Sequence, residues 1–400
     1  MSNPSSDPLN DIFDRAINGE SLFLNRNALR NEFIPNQIHF RDEQIKNVGQ
    51  ILSPALTGHK PSSLLIYGKT GTGKTVVVRY VINRLVERSK TMDTNIRTAY
   101  VNTRVASTEY RILSEVAIEL GVALPFTGLS LSEAFNRITS NMREHSLKTI
   151  FVLDEIDFLV KSSGDNLLYE FTRANENLTN NAFIALVGIS NDLKFKETLD
   201  PRVLSSLNEE EIVFSPYSVD ELRAILRERI EVAFVPGKVS EAAVNLCAGM
   251  GAAEHGDARR AVDLLRVAGE LAEREGAQTV EDSHVREASK SIERDRVLEA
   301  IQSLPIHGKL TLLAVSSFKE AENTGHIYAK YIEVTKQLGL EPLTQRRVSG
   351  LLSELDLLGL VSAPVVSKGR MGRSKKVRLE IPQQVVEASL KDDETVKTLL

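Results

Sequence analysis

Four short apolar runs punctuate the first half of the chain, and amphipathic stretches separate them. They lie at 63–67 (Ser-Leu-Leu-Ile-Tyr), 98–101 (Thr-Ala-Tyr-Val), 149–153 (Thr-Ile-Phe-Val-Leu) and 182–187 (Ala-Phe-Ile-Ala-Leu-Val). Unbroken runs of this length predict strands buried on both faces, hence a parallel sheet covered by helices. From Ser218 to about Glu293 the pattern turns helical and rich in Ala, Leu, Glu and Arg, with Gly256 and Gly276 as breaks. Beyond Val297 it predicts two or three helices and then a hairpin. Boundaries are expected near Pro216 and Asp295, and no internal repeat interrupts the chain. Near residue 343 a further helix begins, in which Val348, Leu351, Leu352 and Leu355 fall at i, i+3, i+4 and i+7. Thr344 stands at its N-cap position, while Arg346, Gly350 and Ser353 point away from the stripe, with Ser349 beside them.

Composition changes this picture little. A chain of 400 residues, 42% hydrophobic and 26% charged, suits two or three globular domains. The single Cys247 excludes a disulfide framework and a cysteine-rich zinc site, which fits a reducing compartment. No apolar run reaches the roughly 18–20 residues of a membrane helix. The polar start, Met1 to Asn10, carries no signal pattern and reads as a short flexible lead-in. A cytoplasmic protein without a membrane partner is the expectation. The net charge of −5 argues against nucleic acid, but the sum hides a local excess. Between Thr344 and Leu379 stand Arg346, Arg347, Lys368, Arg370, Arg373, Lys375, Lys376 and Arg378, opposed only by Glu354 and Asp356.

The sharpest chemical signal follows the first run. Gly68-Lys69-Thr70-Gly71-Thr72-Gly73-Lys74-Thr75 is the G-x-x-x-x-G-K-T pattern, placed between a strand and a helix as that pattern requires. Its glycines let backbone N–H groups turn inward on phosphate oxygens, and the helix N-terminus adds partial positive charge. With ATP or ADP as cofactor, Lys74 then reaches the β-phosphate and, in ATP, the γ-phosphate, Thr75 ligates Mg²⁺, and Val76 continues the cofactor-binding segment. A chance glycine-rich turn would not match every position. The third run ends in Asp154 and Glu155, two carboxylates at the carboxyl end of a buried strand, where open α/β sheets bind ligands. Asp154 holds Mg²⁺, directly or through water, and Glu155 is the group that polarises the attacking water. Asn191, closing the fourth run, is placed to reach the γ-phosphate or that water, although an Asn after a strand is also a turn former.

Taken with their order and spacing, these residues resemble the AAA+ ATPases, and more narrowly the archaeal origin-recognition and cell-division-control replication initiators. Phe33-Ile34-Pro35 and the 38–45 segment (Ile-His-Phe-Arg-Asp-Glu-Gln-Ile) resemble that family's adenine-side segment, with His39 where Pro is usual. The 199–206 segment resembles the box bearing its inter-subunit arginine, here Arg202, and 255–261 its sensor-2 motif, here with Arg259. The resemblance spans nearly all of 33–379. It implies that Arg259 reports nucleotide state from a lid, and that Tyr217 and Arg229 line the nucleotide. A solvated helix arginine, a structural salt bridge for Arg202 and an interfacial core aromatic for Tyr217 stand beside those roles. The 123–130 stretch and its following helix resemble the initiator-specific insertion, whose Arg137 and Arg143 either touch DNA phosphate or lie on a solvated face.

The expected fold is therefore an α/β AAA+ base with a parallel sheet (21–216), an α-helical lid (217–295) and a C-terminal winged helix (296–400), after a flexible 1–20. In that winged helix the outward face of Arg and small residues suits a major groove, and the basic hairpin tip suits a minor groove or phosphates. Thr344, Gln345, Arg346, Arg347, Ser349, Lys368, Arg370 and Arg373 are the candidate DNA contacts. The family implies a slow ATPase that binds double-stranded origin DNA, recruits the replicative minichromosome maintenance helicase, works beside paralogous initiator subunits and associates with the nucleoid. A clamp-loader-like remodeller, a nucleotide-sensing transcription regulator and a non-hydrolysing paralogue are the rivals; intact Lys74, Asp154 and Glu155 argue against the last.

Overall fold

The computed structural model describes residues 21–399 apart from 31, 32, 36, 93, 126, 127, 179, 180, 208, 368–372 and 392. The expected flexible 1–20, Lys368 and Arg370 lie outside the described residues, and of Arg373 only the backbone is described. The chain forms two compact units that divide at Val285/Arg286.

In the first unit, α1 (Asp42–Leu52) precedes a five-stranded parallel sheet. Its strands are β1 (Ser63–Gly68), β2 (Ile96–Asn102), β3 (Lys148–Asp154), β4 (Phe183–Ser190) and β5 (Glu209–Phe214), in the spatial order β2-β3-β4-β1-β5. Alternation along these strands feeds two cores. Leu65 and Tyr67 of β1 join Phe151 and Leu153 of β3 on one face, where Phe171 meets Phe151 edge-on at 5.1 Å. Leu64, Ile66, Ile150 and Val152 turn to the other face, against Val77, Val78 and Ile82. Those three belong to α2 (Lys74–Thr91), the helix that follows β1. On the first face lie α3 (Thr103–Ala106), α4 (Glu109–Glu119), α5 (Leu131–Glu144), α6 (Ile156–Ser163), α7 (Asn166–Asn177) and α8 (Pro201–Leu207). Because β4 separates β1 from β3, the loops after these strands diverge and leave a crevice at their carboxyl ends.

Three helices complete the unit: α9 (Val219–Ala233), α10 (Glu241–Ala253) and α11 (Ala258–Glu275). Ser218 and Glu221 form a reciprocal capping box on α9, and Asp257 caps α11 through the Arg260 amide. Gly276, in the left-handed region, ends α11. The next helix, α12 (Asp282–Ser303), runs unbroken through Asp295.

The second unit packs α13 (Ile306–Ser316), α14 (Thr324–Gln337) and α15 (Gln345–Leu357) around one core with β6 (Glu322–Asn323), β7 (Val361–Ser362), β8 (Val365–Ser367) and β9 (Arg373–Leu379). β9 pairs antiparallel with each of the other three, which gives the wing. A closing helix, α16 (Gln383–Lys391), was not expected from the sequence. Two tyrosines fix the turn before α15. The fully buried Tyr331 hydroxyl accepts the Leu343 amide at 3.1 Å and meets His307 Nδ1 at 2.7 Å, while Tyr328 donates to the Leu343 carbonyl at 3.0 Å. Among the described residues no helix is long and apolar enough to cross a membrane.

Candidate functional site

The crevice is built from the 68–75 loop outward. Gly71 (φ +73°) and Gly73 (φ +90°) hold left-handed backbone, and each is also hemmed in. A Cβ on Gly73 would come within 2.5 Å of the Tyr217 hydroxyl, and one on Gly71 would overlap the Asp257 carboxylate. Lys74, only 5% exposed, donates from Nζ to the carbonyls of Gly68 (2.8 Å) and Lys69 (2.7 Å) and to Asn191 Oδ1 (2.8 Å). Burial pushes its ammonium down to about 8, with the Asp154 charge pulling the other way. Asn191 thus joins the loop lysine, as a residue just past β4 can when β4 lies beside β1.

Beside it, Thr75 Oγ1 donates to Asp154 Oδ2 at 2.9 Å, and the Tyr100 hydroxyl donates to the same oxygen at 2.5 Å. Burial, then the Asp154 charge, drives the Tyr100 hydroxyl up. Glu155 sits at φ +56°, strained for a residue with a side chain. Its carbonyl accepts from Thr103 Oγ1 at 2.6 Å, and its amide donates to Asp154 Oδ1 at 3.0 Å. Its carboxylate accepts from Asn102 Nδ2 at 3.3 Å and pairs with Arg104 at 3.6 Å. Hydroxyl and carboxylate oxygens here, with a buried ammonium beside them, form a donor set suited to a hard divalent cation held jointly with phosphate.

A cleft of about 310 Å³ opens over this loop. Besides the loop and the two carboxylates, Phe33, Ile34, Pro35, Ile225 and Val262 also line it. Arg229 lines it by holding that segment in place: it donates to the Ala28 carbonyl (3.1 Å) and the Phe33 carbonyl (3.4 Å) and lies 4.6 Å over the Phe33 ring. Burial pushes the Arg229 guanidinium down. Tyr217 lines the cleft and is 5% exposed. Arg259 is exposed in the cleft wall. Among the described residues no hydrogen bond or ion pair engages it, and its charge is felt at Lys74. The helix that carries it touches the loop directly, since the Ala258 amide donates to the Gly71 carbonyl at 3.2 Å.

Arg202 is not brought to this cleft. Its guanidinium forks onto Asp200 at 3.0 and 3.1 Å with a side chain 79% exposed. Exposed pairs contribute little to stability. Arg202→Ala is therefore expected to leave the single chain's ATP affinity within about twofold and its melting point within about one degree. Equilibrium titration and a thermal melt would check this; a larger affinity loss would place Arg202 at its own cleft.

Sequence reasoning missed Asn102, Tyr100 and Arg104 around the two carboxylates, because their placement depends on β2 lying beside β3. It quoted Arg41 only inside a segment. That side chain is 2% exposed and donates to the Thr72 carbonyl of the loop at 3.0 Å.

On the second unit, α15 buries Val348, Leu351, Leu352 and Leu355, and Thr344 caps it by accepting from the Arg347 amide at 3.4 Å. Gln345, Arg346, Arg347 and Gly350 are exposed. Ser353 corrects the expected outward face. It is half-buried, donates to the Ser349 carbonyl at 3.1 Å and bonds Lys375 from β9, so the wing strand covers this part of the helix. Gln345, Arg346, Arg347 and Gly350 in the first turns stay open, as do Glu354, Asp356 and Leu357 at the other end of the helix. In α5, Arg137 pairs with Glu133 at 3.2 Å and Arg143 bonds Ser140 at 3.1 Å, both on an exposed face.

Comparison with known proteins follows the same division. Residues 57–194 match an AAA domain family, 223–290 the Cdc6 AAA+ ATPase-type lid domain, and 299–389 the CDC6 C-terminal winged helix domain. The chain is 45% identical over 400 residues to an ORC1-type DNA replication protein of Pyrococcus furiosus, covering 98% of this chain and 95% of that one. It is 45% identical over 396 residues to ORC1-type DNA replication protein 1 of Aeropyrum pernix, covering 98% and 100%. The solved Aeropyrum pernix ORC1 protein in complex with DNA superposes with a TM-score of 0.88 at 46% identity, over 94% of this chain and 99% of that one.

Proposed function

Because the chain belongs to the family of ORC1-type DNA replication proteins, we propose that it is an ATP-regulated initiator that binds origin duplex DNA. The observation that carries the nucleotide half is the Lys74, Thr75, Asp154 and Asn191 cluster in a cleft also lined by Phe33, Ile34 and Pro35. Mg²⁺-ATP would supply the polyphosphate and the charge compensation that make its γ-phosphate a group open to attack. Lys74 and the loop amides hold the β- and γ-phosphates, Thr75 and Asp154 the metal, and Phe33, Ile34 and Pro35 enclose the base. Glu155 takes the proton of an attacking water. With its carboxylate engaged by Asn102 and Arg104, that base is restrained, which supports slow hydrolysis acting as a switch. Arg259, exposed in the cleft wall and rooted on a helix that touches the loop, is the group to report the γ-phosphate to the lid. Arg202, exposed beside Asp200, is free to rotate toward a paralogous subunit.

The DNA half rests on the open first turns of α15. Gln345, Arg346 and Arg347 stand at a helix N-terminus with Gly350 one turn on, and a flat basic face of this kind can approach base edges without steric block. The wing tip, with Lys368, Arg370 and Arg373, would add phosphate or minor-groove contacts. In Aeropyrum pernix the 46%-identical relative was solved in complex with DNA, which supports the same role here. The family, rather than any surface described above, points to recruitment of the replicative minichromosome maintenance helicase.

Fluorescence anisotropy against origin-derived and scrambled duplexes, over a salt series, tests the DNA half. The origin duplex is expected to bind more tightly. Arg346→Ala with Arg347→Ala should weaken it about tenfold, and if both arginines sit on phosphates the salt slope falls by about 1.8. Equal weak binding of both duplexes, unchanged in the variant, would leave an AAA+ remodeller with a protein-binding winged helix.

A further inference from the structure

Arg41 is a buried cation that the roles above do not use. At 2% exposure its guanidinium donates to three backbone carbonyls from three segments. These are Phe40 (Nη1, 3.0 Å), Thr72 in the phosphate loop (Nε, 3.0 Å) and Ser215 at the entry to the lid (Nη2, 2.7 Å). The same group lies 3.8 Å over the Tyr217 ring and 5.7 Å from the Phe214 ring centre. Among the described residues no carboxylate pairs with it. A guanidinium is always charged, and burying one without a counter-charge is costly. Carbonyl dipoles and an aromatic face offset part of that cost. They do not neutralise it.

The loop stands between Arg41 and the cleft. Arg41 Nε is 3.7 Å from the position a Cβ on Gly73 would occupy, so the cation stands behind the loop wall whose other side lines the cleft. Arg41 itself does not line the cleft. We propose that Arg41 is a positioning residue for the polyphosphate: it pins the loop from behind, and the phosphates of the bound nucleotide are its counter-ion. This rests on the nucleotide reading of the cleft and moves Arg41 from the adenine side, where the sequence segment put it, to the phosphate side. Its bond to the Ser215 carbonyl ties the same cation to the start of the lid.

The test is whether the effect of Arg41 grows with the number of phosphates. Fluorescent ATP, ADP and AMP analogues are titrated onto the full chain carrying Arg41, Arg41→Gln or Arg41→Lys, with thermal melts alongside. Arg41→Gln is expected to lose about thirtyfold for ATP, about tenfold for ADP and under about threefold for AMP. Arg41→Lys keeps the charge without the fork, so it should restore the ATP-to-AMP affinity ratio to within about threefold of the parent even if all three bind less well. A purely structural residue would lower all three affinities equally, and that result, or no loss at all, overturns the proposal. If Arg41→Gln does not fold, Arg41→Lys is titrated at rising pH: an ATP-to-AMP ratio that falls, beyond any change in the parent, as the buried ammonium loses its proton supports the counter-ion role, and a ratio that follows the parent's refutes it. Failure of the parent chain to bind any of the three overturns the nucleotide reading itself, and this proposal with it.

Discussion

Replacing Lys74 with alanine is expected to weaken ATP binding by more than about a hundredfold, or about 2.7 kcal/mol, while the chain stays folded. Binding loses the one ammonium that the loop aims at the phosphates. It also leaves the Gly68 and Lys69 carbonyls and Asn191 Oδ1 without the donor that organises them. Stability should suffer far less. Burial already holds the Lys74 ammonium down to about 8, so the folded state disfavours its charged form relative to the unfolded chain. Removing that charge removes a cost along with the three hydrogen bonds. Titration calorimetry with ATP and a circular-dichroism melt separate the two effects. Affinity kept within threefold would mean that the phosphates lie elsewhere, and a lost melting transition would mean that Lys74 is chiefly structural.

Glu155→Gln should slow ATP hydrolysis by about 10²–10³-fold and change ATP affinity by less than about threefold. Glutamine keeps the shape and can still accept from Asn102 through its amide oxygen, but it cannot take a proton and no longer pairs with Arg104. Asp154, Thr75 and Lys74 are untouched, so the groups proposed to hold phosphate and metal remain. Single-turnover phosphate release under saturating ATP reads the chemical step without product dissociation. An unchanged rate would remove Glu155 from catalysis and leave it a strand-end residue held by its neighbours. Weaker ATP binding at an unchanged rate would make it part of the binding site instead.

Much of this was legible before folding because it is local. Continuous apolar runs announced β1, β3 and β4, and the glycine spacing announced the tight left-handed turns of the 68–75 loop, since both are dictated by backbone geometry over a few residues. The stripe of Val348, Leu351, Leu352 and Leu355 is buried as its 3.6-residue period requires. β5 escaped notice for a converse reason: it opens Glu209-Glu210-Glu211, and an edge strand with one neighbour need not be apolar on both faces. What the linear chain could not show is which distant residues the sheet order brings side by side. Asn102 reaches Glu155 only because β2 runs beside β3, and Asn191 reaches Lys74 only because β4 runs beside β1. Arg41 gathers carbonyls 31 and 174 residues away, Ser353 is covered by a wing strand 22 residues on, and Arg202 turns to Asp200 rather than the cleft. Local periodicity determines which residues are buried and which loop can cradle phosphate. Strand order, decided by packing of the whole unit, determines which polar groups share one site.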